Sequence, residues 1–467
     1  MAAIYDAILR HARVVDPANG VDGVRDVALR DGAIAAVEAT VAGTATREHD
    51  LTGKVVVPGI IDLHVHLSPW LGGTCGHRML ALAGVTTALD LAGPIDGVVE
   101  IAATHGAGLT IAGIDHLRPG RNVASADASA DGLRDALAAA RRGGAVGLKL
   151  LGGHFPLTAA ASSRTIEVAA EAGAYVAFHA GTLETPSTVD GMAEACALAA
   201  GRPLHMAHVN SYCRGQTGAP VAEGERAIAV LAEHPNVRSE SYLAPFNGVS
   251  AKCRDGAPES LAARNSLERG GYPPTTAGMI DAIGAGWAMI HREADGVVQL
   301  VTGEDGLAVW RARASDVGAS FVSNPPEPRL HLATATTPAG GFALVALATD
   351  GGGIPRNDIV ARGLPLVRLD ALDLAGFVRK TSVTPAQILG LAHKGHLGVG
   401  ADGDVTVLDL DRLAPVLAYA GGRLIMAEGR LHGRGSRMIT TVDGEAAVRA
   451  AGLEPLVVEP GTMLPPR

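Results

Sequence analysis

His64-Val65-His66 closes the apolar run Val55-Val-Val-Pro-Gly-Ile-Ile-Asp62, with its two imidazoles one residue apart. Alternate side chains of an extended strand share a face, so both rings point the same way and form half of a metal site. A His-x-His pair also arises by chance, and its weight comes from the residues around it. His179 ends Tyr175-Val-Ala-Phe-His, His208 follows Leu204-His-Met-Ala, and Asp350 ends Leu344-Val-Ala-Leu-Ala-Thr-Asp. Four imidazoles and a carboxylate suit a borderline-soft divalent cation, Zn2+ first, with Mn, Fe, Co and Ni as alternatives.

Lys149 is the odd member, set in the apolar run Val146-Gly-Leu-Lys-Leu-Leu. A charged ammonium is costly to bury there. A depressed pKa would leave a neutral amine able to add CO2, and the carbamate so formed has two oxygens that can bridge two metals. The alternative is an ordinary pairing with a carboxylate.

Positioning such groups requires a repeating frame. Apolar strands alternate with Ala-rich helical stretches from Val55 onward: the His64 strand, then Thr86-Thr-Ala-Leu-Asp-Leu, Leu109-Thr-Ile-Ala-Gly-Ile, the Lys149 strand, the His179 and His208 strands, Val237-Arg-Ser-Glu-Ser-Tyr and the Asp350 strand. Strand–helix alternation implies an α/β fold with a parallel sheet, and eight units imply a closed (β/α)8 TIM-like barrel, whose chemistry sits at the C-terminal ends of the strands. Lys149 to His179 is 30 positions and His179 to His208 is 29, each about one unit. The longer gap before Asp350 predicts an insertion at about 245–340, a lid or substrate wall on one reading and a peripheral excursion on the other. Short strands and Gly turns at both ends predict a small β-sandwich of 1–55 with 396–467, interrupted by a barrel over 56–395.

Composition narrows the class. The 467 residues are 47% hydrophobic with a net charge of −9 and no long charge runs, which argues against nucleic-acid and anionic-membrane partners. No apolar stretch reaches the roughly 20 residues of a membrane span, and the N-terminus lacks the pattern of a signal peptide. Four scattered cysteines fit neither a zinc knuckle nor a disulfide framework, so a reduced, cytoplasmic protein is expected.

The chain resembles the amidohydrolase superfamily in its binuclear-metal branch of hydantoinases, dihydroorotases and N-acyl-D-amino-acid deacylases. The residues that carry the likeness are Pro58-Gly-Ile-Ile-Asp-Leu-His-Val-His, Lys149, His179, His208 and Asp350 in that order, with Ala12-Arg-Val-Val-Asp-Pro-Ala near the start and Lys394-Gly-His-Leu-Gly-Val-Gly-Ala-Asp-Gly-Asp-Val near the end. The resemblance implies two divalent metal ions. His64, His66 and Asp350 would hold one, His179 and His208 the other, with a CO2-derived carbamate on Lys149 and a hydroxide bridging them. It implies hydrolysis of a C–N amide bond in a small molecule, either a linear N-acyl amino acid or a cyclic amide such as a hydantoin or dihydropyrimidine. The hydroxide would be the nucleophile and Asp350 the proton shuttle. It also implies a homo-oligomer. The alternatives are a mononuclear aminohydrolase (deaminase), whose Glu would follow His179 more closely than Glu184 does, and a non-catalytic scaffold, which would have lost ligands.

Substrate contacts are expected from His154, Arg118, Arg214, Asn210 and Tyr212, all on loops at the C-terminal face. Arginine there could fork onto a carboxylate. His205, an odd number of positions before His208, is expected to face the helices. The glycines after Asp350 predict a close backbone approach to the site.

Overall fold

The strands that carry the candidate ligands are buried along almost their whole length. Ile60–His66, Val85–Asp90 and Gly147–Leu151 are buried at every residue, as befits parallel strands covered on both faces. The computed structural model describes residues 4–337 and 340–465. Side-chain caps start the helices Ala130–Arg142 and Ala159–Glu171, where Ser129 and Thr158 accept hydrogen bonds from the Gly132 and Ala161 amides.

Two parallel sheets hold the ligand-bearing strands. The first places Gly351–Gly352, Ile60–His66, Val85–Asp90 and Ala107–Gly113 side by side. The second runs through Asp115–His116, Gly147–Leu151, Tyr175–His179, Leu204–Met206, Val237–Ser241 and Ala346–Leu347. Two stretches of chain pass between the sheets. Ala107–Gly113 continues into Asp115–His116, and Ala346–Leu347 into Gly351–Gly352. A shared apolar core takes Ile61, Leu89, Ala112, Val146, Tyr175, Ala207 and Ala346 from successive strands or their ends.

Both chain ends meet in a nine-stranded sheet. Val55–Pro58 joins the halves, parallel to Tyr5–Asp16 on one side and antiparallel to Val405–Asp409 on the other. Leu9, Val14 and Val27 share a core there with Val405, Val407 and Tyr419.

The expected extent of this terminal domain, 396–467, needs correction. Its last strand is Arg430–Leu431, whereas Gly435–Thr440 and Glu454–Val457 extend the first parallel sheet, with Met438 opposite Ile111. The reason is apolar burial. Ile439, Val458, Met463 and Leu464 enter the core shared by the parallel strands, a larger apolar partner than the two-residue edge they leave.

The insertion is also more compact than 245–340. Asn247–Ser250, Gly318–Phe321, Ala288–Ala294 and Val297–Val301 make an antiparallel sheet, with a core of Met279, Ile283, Ile290, Trp310 and Phe321. Pro326–Thr334 lies outside it, packed on the helix Pro220–Glu233. Glu293 at the tip of the insertion accepts from the Cys75 thiol at 3.0 Å and the Thr74 hydroxyl at 3.2 Å, which docks it on the loop after the His64 strand. Among the described residues no helix is long and apolar enough to cross a membrane.

Candidate metal centre

The strand ends bring His64, His66 and Asp350 together, with one potential ligand atom of each lying within 4.8 Å of the others. Asp350 Oδ1 is 2.7 Å from His66 Nε2 and 3.3 Å from His64 Nε2. His208 Nε2 faces His179 Nδ1 at 3.0 Å. His179 turns its other nitrogen, Nε2, to Ser187 Oγ at 3.1 Å, which leaves Nδ1 as the lone-pair nitrogen when Nε2 carries the proton.

Backbone geometry aims two of these side chains. His208 has φ +34° and Asp350 φ +55°, both in the left-handed region that residues other than glycine seldom adopt. This also corrects His205. The strand ends at Met206, so alternation does not carry through to His208. His205 therefore packs inward, its Nδ1 2.6 Å from Tyr175 Oη and its Nε2 3.8 Å from Glu240 Oε1.

The electrostatics suit ligation. Burial pushes His64 and His179 well below the ordinary imidazole range and His208 down to about 3, so all three are neutral. Burial alone would raise Asp350. Arg356 first, then His64 and His66, outweigh it and hold the carboxyl well below its usual value. Lys149 is 1% exposed, and burial lowers its pKa against the pull of Glu240, Asp350 and Asp90.

The residues fit resident cations. Lys149 Nζ, His66 Nδ1, His208 Nδ1 and Glu240 Oε2 are buried without a hydrogen-bond partner, a concentration of unmet polar atoms that an ordinary core avoids. The neutral imidazoles and ionised carboxylate are the donor forms that Zn2+ takes.

Glycines let the backbone close over this centre. Gly352 and Gly72 have φ of +74° and +113°, and a Cβ on either would strike the His66 carbonyl. A Cβ on Gly353 would overlap the Gly72 carbonyl oxygen. Gly353→Ala is therefore expected to force two loops apart beside His66, costing about 1–3 kcal/mol. Urea unfolding checks the stability, and weaker metal uptake should accompany the loss.

The expected substrate contacts divide. Arg118 lies exposed with its guanidinium 4.6 Å over the Phe155 ring, beside a stack of Trp70 on His116 at 4.8 Å and His116 on Phe155 at 5.6 Å. His154, also exposed, has its ring 6.0 Å from that of His179. Arg214, by contrast, spends its fork inside the protein, on Asn324 Oδ1, Ser211 Oγ and Tyr242 Oη. Asn210 Oδ1 accepts from the Tyr242 amide, and Tyr212 Oη from the Ala180 amide at 2.9 Å. The bonds of Arg214 and Tyr212 tie them into the protein, whereas Asn210 Nδ2 is buried without a hydrogen-bond partner.

Glu240 and Arg356 are the residues that sequence reasoning underrated. Glu240 is fully buried on Val237–Ser241, with Oε1 2.7 Å from His64 Nδ1. Its one signal in the sequence was a carboxylate inside a strand read as buried. Arg356, just beyond the glycines that follow Asp350, pairs with Asp350 Oδ2 at 2.6 Å and stacks 4.7 Å over the Tyr242 ring.

No family model matches the chain. Along nearly its whole length it is similar to an N-acyl-D-glutamate deacylase of Alcaligenes xylosoxydans xylosoxydans, 25% identical over 462 residues that cover 91% of this chain and 93% of the relative. A dihydroorotase of Solibacter usitatus is 45% identical over 60 residues, 13% of this chain and 14% of that protein, so this likeness spans a small part of either. Among solved structures, an N-acyl-D-glutamate deacylase of Bordetella bronchiseptica, complexed with zinc and a phosphonate inhibitor, aligns over 93% of this chain and 99% of its own at a TM-score of 0.64 and 17% identity. A D-aminoacylase aligns over the same shares at a TM-score of 0.65 and 17% identity, and its binuclear centre is described in terms of one-metal activation and second-metal attenuation. These structural likenesses establish a common fold.

Proposed function

We propose that this chain, a member of the amidohydrolase superfamily, is a metal-dependent hydrolase that cleaves a C–N amide bond in a small molecule. One observation carries the reading: the Nε2 atoms of His64 and His66 converge on Asp350 Oδ1, beside the facing nitrogens of His179 and His208. The eight strands are read as a closed barrel, with the terminal sheet and the compact insertion as separate units.

His64, His66 and Asp350 would hold one divalent ion and His179 with His208 a second, Zn2+ before others, with Lys149 as a carbamate between them. When bound, such ions lower the pKa of water so that hydroxide forms near neutral pH, and they polarise the scissile carbonyl. The chain's own residues do the rest. Burial lowers the Lys149 pKa to about 8 and so enlarges its free-amine fraction, which adds to CO2, forming an N–C bond and releasing a proton. Glu240 and Ser187 fix the tautomers of His64 and His179 through their second nitrogens. Asp350, kept ionised by Arg356, accepts the proton of the attacking water and delivers it to the leaving nitrogen. That delivery matters for amides, whose amine leaves poorly unless protonated.

The full-length deacylase relative favours N-acyl-D-amino acids over cyclic amides as substrates. Arg118 and His154, on the open side of the centre, are the substrate contacts we retain. A mononuclear aminohydrolase is disfavoured by Glu184, which is exposed and caps the Ala159 amide at 2.9 Å rather than approaching the histidines.

The test is metal content per chain, measured before and after reconstitution with Zn2+ and bicarbonate, followed by amine release from N-acyl-D-amino acids, hydantoin and dihydrouracil. Two metals per chain and release from an acyl substrate are expected. Absence of metal uptake would overturn the reading.

A further inference from the structure

Glu240 touches both halves of the centre through one oxygen. Its Oε1 lies 2.7 Å from His64 Nδ1 and accepts the backbone N–H of His208 at 2.7 Å. The first contact consumes the Nδ1 proton of His64 and leaves Nε2 as the lone-pair nitrogen, 3.3 Å from Asp350 Oδ1. The second holds the amide of a histidine whose backbone sits at φ +34°, the turn that aims its Nε2 at His179. Both contacts are sealed from water, since Glu240, His64 and His208 are 0%, 1% and 4% exposed.

We infer that Glu240 is a positioning residue that sets the ligand geometry of both metal positions together. It orients the ring of a ligand to one ion and the backbone of a ligand to the other, so the two positions load as a coupled pair rather than as independent sites. The inference rests on the metal-dependent reading above. It adds a residue from the seventh parallel strand, which supplies none of the proposed ligands.

Two substitutions separate the carboxyl from its reach. Glu240→Asp keeps the carboxyl but withdraws it by one methylene, and Glu240→Gln keeps the reach but replaces the carboxyl with an amide. Metal-free protein of each kind is titrated with Co2+, followed by visible absorption and elemental analysis, after far-UV circular dichroism has shown the fold intact. Wild type is expected to take up two cobalt ions. Loss of an outer partner typically lowers metal affinity about 10–100-fold, and here both binding steps are expected to weaken, more in Glu240→Asp than in Glu240→Gln. A merely structural role would lower stability without moving both steps. Weakening of one step alone overturns the inference, as do two unchanged steps in a variant that folds. Should Glu240→Asp fail to fold, Glu240→Gln carries the test with the same expectation. Failure of wild type to bind cobalt at all is a different result, and it strikes the metal-dependent reading itself.

Discussion

Lys149→Met is expected to lower metal content from two ions per chain to one and to reduce kcat/KM about a thousandfold or more. The magnitude follows from what metal activation supplies. Stabilisation of transition-state charge is worth several kcal/mol, and each 1.36 kcal/mol is about tenfold in rate. Methionine is the informative replacement because it fills the same space without an amine. Lys149 Nζ has no hydrogen-bond partner, so removing it breaks no bond and relieves the cost of a buried, unmet donor. The metal-free variant should therefore unfold in urea at a concentration no lower than wild type. Loss of activity with undiminished stability would separate a role in the centre from a role in the core. Added acetate or propionate, which can enter the space left in Lys149→Ala as a free carboxylate, should restore part of the activity. Two metals and wild-type rates in Lys149→Met would remove the carbamate from the mechanism.

Much of this centre is legible from local pattern. His64 and His66 share a face because strand alternation is a property of the backbone, and His179 ends an apolar run that folds as a strand, whereas Asp350 stands between the short strands Ala346–Leu347 and Gly351–Gly352. What the pattern cannot carry is the partner across the centre. Glu240 sits in Val237-Arg-Ser-Glu-Ser-Tyr, and its role appears only when the fold brings that strand within reach of the His64 strand. His205 was misdirected for a related reason: parity assumes an unbroken strand, and the left-handed His208 ends it. The two C-terminal strands show the same limit at the level of the fold. Arg437-Met-Ile-Thr announces a strand, but its pairing with Ala107–Gly113 is a contact across more than three hundred residues that apolar burial decides. The insertion was legible as excess length, whereas its boundaries depended on which helices it packs against.

The pairing of Arg356 with Asp350 leads to the largest expected effect on stability. Arg356→Met leaves a carboxylate buried in the metal-free protein without its main partner, and breaking a buried pair in this way costs about 3–5 kcal/mol. The guanidinium is 2% exposed and also bonds the Asp350 carbonyl through Nε at 2.6 Å, so water cannot take its place. The dependence on pH has a definite sign. In wild type the carboxyl of Asp350 is held below its ordinary value, so its stabilising contribution is present above the unfolded pKa of about 3.9 and is lost as pH falls through the folded value. In Arg356→Met burial is no longer outweighed by the guanidinium, and the carboxyl titrates higher. The stability gap between the two proteins should thus be widest near neutral pH and narrow on acidification, as Asp350 protonates first in the variant and only at lower pH in the wild type. Bound metal supplies the missing positive charge, so Zn2+ should close much of the gap at pH 7 in urea unfolding. Activity should respond differently. An Asp350 freed from Arg356 is no longer held in one orientation for proton delivery, and a misplacement near 1 Å can cost about a hundredfold in rate, a loss in kcat that added Zn2+ would not repair. Recovery of both stability and kcat on metal loading would show that Arg356 serves only as a stand-in for the cation.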